Sequence, residues 1–118
     1  MQCWREVFAA SLHEARGKWR LGEFSWHVFS FGFARALSGE KAVHEYTAQP
    51  LSPFFLLPEE NTGLPAYFCM SDRWPDLRQL ELDVYVSPEG LAWTMAFTHE
   101  ASSGLGPYFS RAEWLKMG

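Results

Sequence analysis

Two segments in the second half of the chain alternate strictly between apolar and other side chains, and this alternation constrains the fold more than any other feature. The first, residues 80–86, reads LELDVYV and places its Leu and Val residues on one face and Glu81, Asp83 and Tyr85 on the other. The second, residues 91–98, reads LAWTMAFT and alternates large apolar residues with Ala and Thr. The Pro and Gly of the intervening SPEG favour a turn. The pattern predicts an antiparallel hairpin with an acidic outer face.

Weaker signals along the rest of the chain predict further strands and helices. Helical spacing of apolar residues indicates a helix over residues 3–16, and a second helix is expected at about 39–48, between Ser38 and Pro50. The segments expected to be strands are residues 24–31, 54–57 and 66–70. Ser110 and Glu113 have the spacing of a capping box, which predicts a short terminal helix. These elements predict an α+β fold, a single domain over residues 1–118 in which an antiparallel sheet of four or five strands carries helices packed on one face.

The chain is rich in aromatic residues for its length. Of 118 residues, 17% are aromatic and 47% are hydrophobic, which suffices for one domain that folds without disulfide bonds. We expect part of the aromatic surface to lie at a protein interface, and both cysteines to be buried thiols. Arg5 and Glu6 interrupt any signal-peptide core, and no segment approaches the ~20 apolar residues of a membrane span. We therefore expect a cytoplasmic protein that does not associate with membranes.

Acidic residues are concentrated in the centre of the chain. Residues 59–100 contain eight acids against two bases, Arg73 and Arg78, and the whole chain has a net charge of −4. This balance argues against a nucleic-acid ligand and favours a basic protein partner. The residues expected to bind the partner are acids and nearby aromatic rings, namely Glu81, Asp83, Tyr85, Trp74, Asp76 and Tyr67. The alternative is that these acids only keep a strand face soluble.

The sequence FTHEASSGLGPYF, residues 97–109, sets an imidazole and a carboxylate at the start of a flexible loop that a Gly-Pro turn closes. We interpret it as a clamped loop, because the amides of such a loop need acceptors and proline fixes its return angle. The residues expected to form this structural clamp are His27, Thr98, His99, Glu100, Pro107 and Tyr108. The alternative is a metal or catalytic site built on His27, His99 and Glu100. Because there is no nucleophile-elbow motif or glycine-rich phosphate loop, we expect no enzymatic activity, no metal and no cofactor.

Two segments together resemble a family of small bacterial domains of unknown function. They are WHVFSF, residues 26–31, and WTMAFTHE with the later GPYF, within residues 93–109. The resemblance covers about residues 20–114. It implies that the following residues act as a unit: Trp26, His27, Thr98, His99, Glu100, Pro107 and Tyr108. In general character the chain is also similar to bacterial immunity proteins, which are short, acidic and aromatic-rich.

These observations lead to one functional expectation and two alternatives. We expect a non-enzymatic protein-binding module, an immunity protein that neutralises a basic bacterial toxin such as a nuclease. The first alternative is a small enzyme or metal-binding protein that uses His27, His99 and Glu100. The second is a structural subunit of a larger complex, in which the aromatic residues cover an oligomer interface.

Overall fold

The computed structural model describes residues 4, 7, 8, 35–59 and 62–115. The strand expected at residues 24–31 lies outside this set, as does most of the helix expected at residues 3–16. Trp4, Val7 and Phe8 are described and are helical. Within the described part of the chain, no helix is long and apolar enough to cross a bilayer.

The described residues form an α+β fold, as expected, around one antiparallel sheet. The strands are β1 (Leu37–Ser38), β2 (Phe54–Pro58), β3 (Tyr67–Cys69), β4 (Val84–Pro88), β5 (Trp93–Phe97) and β6 (Tyr108–Arg111). The helices are α1 (Glu40–Thr47) and α2 (Ala112–Leu115), with 3₁₀ turns at Arg78–Leu80 and Ala101–Ser103. The strand order is β1-β6-β5-β4-β2-β3. The sheet thus has six strands rather than four or five.

The two strands that sequence reasoning missed are β1 and β6. β6 pairs with β5, with Ala96 opposite Tyr108, although the GPYF sequence resembles a closing turn. Ser110, expected to cap a helix, lies in β6, and its hydroxyl donates to the carbonyl of Arg35 at 2.6 Å. Ser38 lies in β1, and α1 begins after Gly39 without a side-chain cap. Short strands of this kind are defined by their pairing partners, so their local sequence carries little signal.

The expected hairpin is confirmed as β4 and β5. Tyr85 lies opposite Ala96 and Val86 lies opposite Met95. The first strand begins at Val84 rather than residue 80, because Glu81 has a left-handed backbone with φ 53°. That conformation cannot continue a strand.

Both faces of the sheet are covered, which corrects the expectation of helices on one face. On one side, Val86, Met95 and Phe109 pack with Tyr46 of α1. On the other side, a second apolar cluster combines Tyr85, Ala96 and Tyr108 with Trp4 and Phe8.

The cover on the second face is built around the indole of Trp4. Its ring lies 4.4 Å from that of Tyr85, and its Nε1 donates to Oγ1 of Thr94 at 2.7 Å. The small side chains of β5 thus provide room for a large indole rather than a smooth outer surface, because Ala and Thr leave space that an aromatic ring can fill.

Candidate functional site

A hydrogen-bonded pair of polar side chains, Asp83 and His99, lies where β4 begins and β5 ends. Asp83 immediately precedes β4, and His99 follows β5 by two residues. Both carboxylate oxygens of Asp83 contact Nδ1 of His99, at 2.9 and 2.8 Å. Oδ1 also accepts the backbone N–H of His99 at 3.0 Å. The antiparallel register of the hairpin brings these residues together, and Asp83 holds His99 by its backbone amide and by ring atom Nδ1.

The burial of this pair is unequal. The side chain of Asp83 is 5% exposed and that of His99 is 33% exposed. The other ring nitrogen of His99, Nε2, faces Oε1 of Glu100 at 3.7 Å, beyond hydrogen-bonding distance. A buried carboxylate on one ring nitrogen of a partly exposed histidine is an arrangement by which proteins orient a histidine for acid–base work or for metal binding.

No metal-binding cluster accompanies this pair within the described ranges. Among the described residues, no group of three or more His, Cys, Asp or Glu side chains is placed to hold a metal ion. His27, the expected third member of such a group, lies outside the described residues. His99 and Glu100 are adjacent to each other, with Nε2 of His99 3.7 Å from Oε1 of Glu100.

The ends of the loop that follows are joined by hydrogen bonds, through atoms that partly differ from those expected. The hydroxyl of Thr98 donates to the carbonyl of Leu105 across the loop. The backbone carbonyl of Glu100, rather than its carboxylate, accepts the amides of Ser103 at 3.0 Å and Leu105 at 3.2 Å. The side chain of Glu100 remains 41% exposed. The backbone itself therefore supplies most of the acceptors that the loop needs.

Gly106, Pro107 and Tyr108 complete the closure. Gly106 has φ 109° and packs directly on Thr98, and its bond to Pro107 is cis. The ring of Tyr108 enters the apolar cluster on the Trp4 side of the sheet. Burial, and secondly the negative charge of Glu100, raise the pKa of Tyr108. The aromatic turn therefore anchors the loop in the core.

A second buried polar pair lies beside the first and was not expected. The hydroxyl of Tyr85 donates to Oε1 of Glu59 at 2.7 Å, and the exposed fractions are 0% and 2%. The amide of Glu59 donates to the carbonyl of Asp83 at 2.9 Å. The sequence offered one signal for this arrangement: the alternation of side chains along a strand, with a period of two residues, places Asp83 and Tyr85 on the same face.

Three of the six residues expected to bind a partner are buried. Tyr85 is 0% exposed because it lies in the Trp4 cluster, and Asp83, which is bonded to His99, is 4% exposed. Trp74 is 8% exposed, and its Nε1 donates to the carbonyl of Gln49 at 2.8 Å. These side chains lie inside the fold, so the expected location of the surface on the face of β4 is wrong.

The other three residues of that set are exposed. Asp76 and Glu81 lie on the surface, and Tyr67 is 50% exposed. Asp76 forms an ion pair with Arg78 at 2.6 Å, and this contact lowers the pKa of Asp76. Of the three, Tyr67 lies within a larger exposed surface that sequence reasoning did not identify.

That larger surface is apolar and lies on and beside β3, at the edge of the sheet. We call it the β3 surface, and its members are Leu64 (49% exposed), Tyr67 (50%), Phe68 (53%) and Met70 (82%). Within the described part of the chain, β3 pairs with β2 alone. No charged residue occurs between Thr62 and Ser71. Exposed apolar side chains grouped at one edge of a sheet are typical of an interaction site.

The exposed acids are fewer than the sequence suggested. Glu59 and Asp83 are buried, and Glu60 lies outside the described residues. From residue 62 to residue 90 the acids on the surface are Asp72, Asp76, Glu81 and Glu89, and the bases are Arg73 and Arg78. The exposed part of this segment is therefore negative, by a smaller margin than the whole segment.

Comparison with known proteins identifies a family but no characterised relative. No curated protein and no solved structure matches the chain. A family model described as a domain of unknown function matches residues 1–109. The expectation of a small uncharacterised domain family is thereby confirmed. The chain belongs to the family described as Domain of unknown function (DUF4275).

Proposed function

We propose that this chain is a non-enzymatic protein-binding module that recognises a basic protein, and that it acts as an immunity protein against a bacterial toxin. The observation that carries the proposal is the β3 surface. Tyr67, Phe68 and Met70, which lie on or beside the edge strand β3, expose 50%, 53% and 82% of their surface. Aromatic and Met side chains are enriched in protein interfaces, and leaving them in water is unfavourable unless a partner covers them.

Charge supports a basic partner. The exposed acids Asp72 and Glu89 lie at one end of β3, since Cys69, Phe54 and Pro88 are aligned in neighbouring strands. The whole chain carries a net charge of −4. A negative surface with an apolar centre attracts a positive protein and then binds it through desolvated side chains. A nuclease toxin suits this description because its own substrate is a polyanion.

The test is a comparative capture experiment with two matched variants. Tagged wild type, Phe68→Lys and Leu105→Lys are incubated with native lysate at low and high salt. Leu105 is also an exposed apolar residue, at 37%, but it lies in the loop between β5 and β6, across the sheet from β3. We expect wild type and Leu105→Lys to capture a basic partner in stoichiometric amount, and high salt to reduce the captured amount. Phe68→Lys should not capture this partner.

The captured protein then requires a functional test. Expression of the partner alone should arrest growth, and co-expression of wild type should restore it, whereas Phe68→Lys should not. Equal capture by Phe68→Lys and wild type would contradict the location of the interface. A captured partner that is harmless when expressed alone would contradict the toxin-neutralising role.

A second candidate function is acid–base chemistry or metal binding at His99. It is favoured by one observation, the buried carboxylate of Asp83 on Nδ1. It predicts a bound transition metal in purified protein, and the loss of that metal in His99→Ala but not in His44→Ala, since His44 is an exposed histidine on α1. Equal metal content in the two variants would remove metal binding at His99 as a candidate.

A further inference from the structure

We infer that the partner binds by strand addition, in which an extended, basic segment pairs with the outer edge of β3 as a further strand of the sheet. This inference rests on the proposed function, because it names how the partner of that same surface is held. It concerns the backbone of β3 and the charges at its ends.

The two edges of the described sheet differ in how they are protected against pairing. β1 has two residues, and α1 follows it directly and packs against it. Exposed charged residues, Arg35 and Glu40, flank it. A short strand, flanking charges and an adjacent helix are the means by which proteins prevent edge-to-edge association. The β1 edge is therefore closed to a partner strand.

The edge at β3 has none of these charges. The segment from Thr62 to Ser71 contains no acid or base, and Tyr67 and Phe68 are half exposed. Pro65 lacks an N–H donor, so pairing with a partner is confined to the residues that follow it. β3 itself has three residues, so the edge offers a short run of backbone groups, enough to pair with an added segment of about three to five residues.

The side chains of β3 determine what an added strand must present. Phe68 projects to the Trp4 side of the sheet and packs on Phe55 at 5.1 Å. Tyr67 lies opposite Leu56 and projects to the α1 side. Because successive residues of a strand point to opposite faces, the partner needs a β-branched or aromatic side chain beside each of these rings.

Charge argues that the added segment belongs to a basic partner rather than to a second copy of this chain. Asp72 follows β3 with its side chain 86% exposed, and Glu89 lies at the same end of the sheet. Arg73 is near Asp72, at 3.6 Å, and offsets one of these two charges. Two copies, each with a net charge of −4, repel one another. A segment with Lys or Arg at its end complements the same charges.

The experiment selects peptides and locates where they bind. A phage library of random 12-residue peptides is selected on the folded protein, and an enriched peptide is synthesised and titrated into isotope-labelled protein. We expect peptides with a net positive charge and alternating β-branched or aromatic residues. The amide signals of Tyr67, Phe68 and Cys69 should shift, and exchange of their outward-facing amides with solvent should slow. Phe68→Lys should weaken binding by about tenfold or more, with Leu105→Lys unchanged.

Each contrary result has a distinct meaning. No enrichment over an unrelated protein, or signal shifts that exclude Tyr67–Cys69, would overturn strand addition. If the lysate partner is nevertheless captured, the proposed function survives that failure. Peptides that bind at β3 while no partner is captured would instead count against the proposed function. Self-association that increases with protein concentration in sedimentation and disappears in Phe68→Lys would assign the edge to a second copy and overturn the basic partner.

Discussion

The closure of the loop between β5 and β6 depends on the absence of a side chain at Gly106. A Cβ atom at this position would lie 2.8 Å from Oγ1 and 2.9 Å from Cγ2 of Thr98. Thr98 is 4% exposed, and its hydroxyl is bonded to the carbonyl of Leu105, so it has little freedom to move away. The backbone at Gly106 also has φ 109°, a region that residues with a Cβ rarely adopt.

Gly106→Ala should therefore destabilise the fold through two additive effects. The unfavourable backbone conformation costs about 1–3 kcal/mol. Forcing a methyl group against a fixed neighbour costs about 1–3 kcal/mol more. We expect the free energy of unfolding, measured by urea denaturation at 25 °C, to fall by about 2–6 kcal/mol. The slope of the unfolding free energy against urea concentration should be the same for wild type and Gly106→Ala if both proteins unfold in one step.

Gly104→Ala is the matched control, because it separates backbone strain from steric contact. Gly104 has φ 85°, and nothing lies within 4 Å of a Cβ built on it. Its substitution should cost only the strain, about 1–2 kcal/mol. If Gly106→Ala cost no more than Gly104→Ala, the close packing of Gly106 on Thr98 would be refuted as the reason for glycine at this position.

A double-mutant cycle identifies the contact itself. Thr98→Ala alone loses one hydrogen bond, to Leu105, which is worth about 1 kcal/mol. In the Gly106→Ala background the same change also removes both atoms that the new methyl group would meet. The double variant should therefore be more stable than the sum of the single effects, by about 0.5–3 kcal/mol. Strict additivity would show that the strain lies elsewhere in the loop.

Further predictions concern the buried polar groups and the β3 surface. Asp83→Ala removes the acceptor for both the backbone and the ring of His99 and should cost about 1.5–3 kcal/mol in urea unfolding, whereas Asp83→Asn, which keeps an oxygen acceptor, should cost less. Burial, and secondly the charge of Asp76, raise the pKa of Tyr46 above its ordinary value of 10.0. The folded state keeps this proton longer than the unfolded state does, so the unfolding free energy should fall above pH ~10, by at most about 1.4 kcal/mol per pH unit for this group, and the fall should be smaller in Tyr46→Phe. Phe68→Lys should change stability by about 1 kcal/mol or less, since half of the ring is in water, and a larger loss would disqualify it as a binding probe.

Local patterns predicted the parts of the fold whose signal lies within a few residues. The hairpin follows from a period of two on both sides of a Pro-Gly turn, and it is present as β4 and β5. α1, β2 and β3 occur within one or two residues of their expected bounds. β6 did not have this signal. Its sequence, YFSR, fits a strand as well as a turn and a helix cap, and only pairing with β5 decides between them.

The candidate site likewise combines features with a local sequence signal and features that depend on strand pairing. A clamped loop was predicted from residue types that close loops, and the hydroxyl of Thr98 bonds the carbonyl of Leu105 across that loop. The partner of His99 was not predicted, because Asp83 is sixteen residues away along the chain. Only the register of two strands brings a carboxylate to that ring, and a register is a property of both strands together.

The sequence by itself determined which residues of β4 share a face. Asp83 and Tyr85 lie together and opposite Val84 and Val86, because a strand alternates whatever surrounds it. Only the tertiary structure decided that this acidic face is buried, since Trp4, some ninety residues away along the chain, covers it through Thr94 and Tyr85. For the same reason the exposed apolar surface lies at β3 rather than at β4. Exposure depends on what packs against a strand, and that information is distributed along the whole chain.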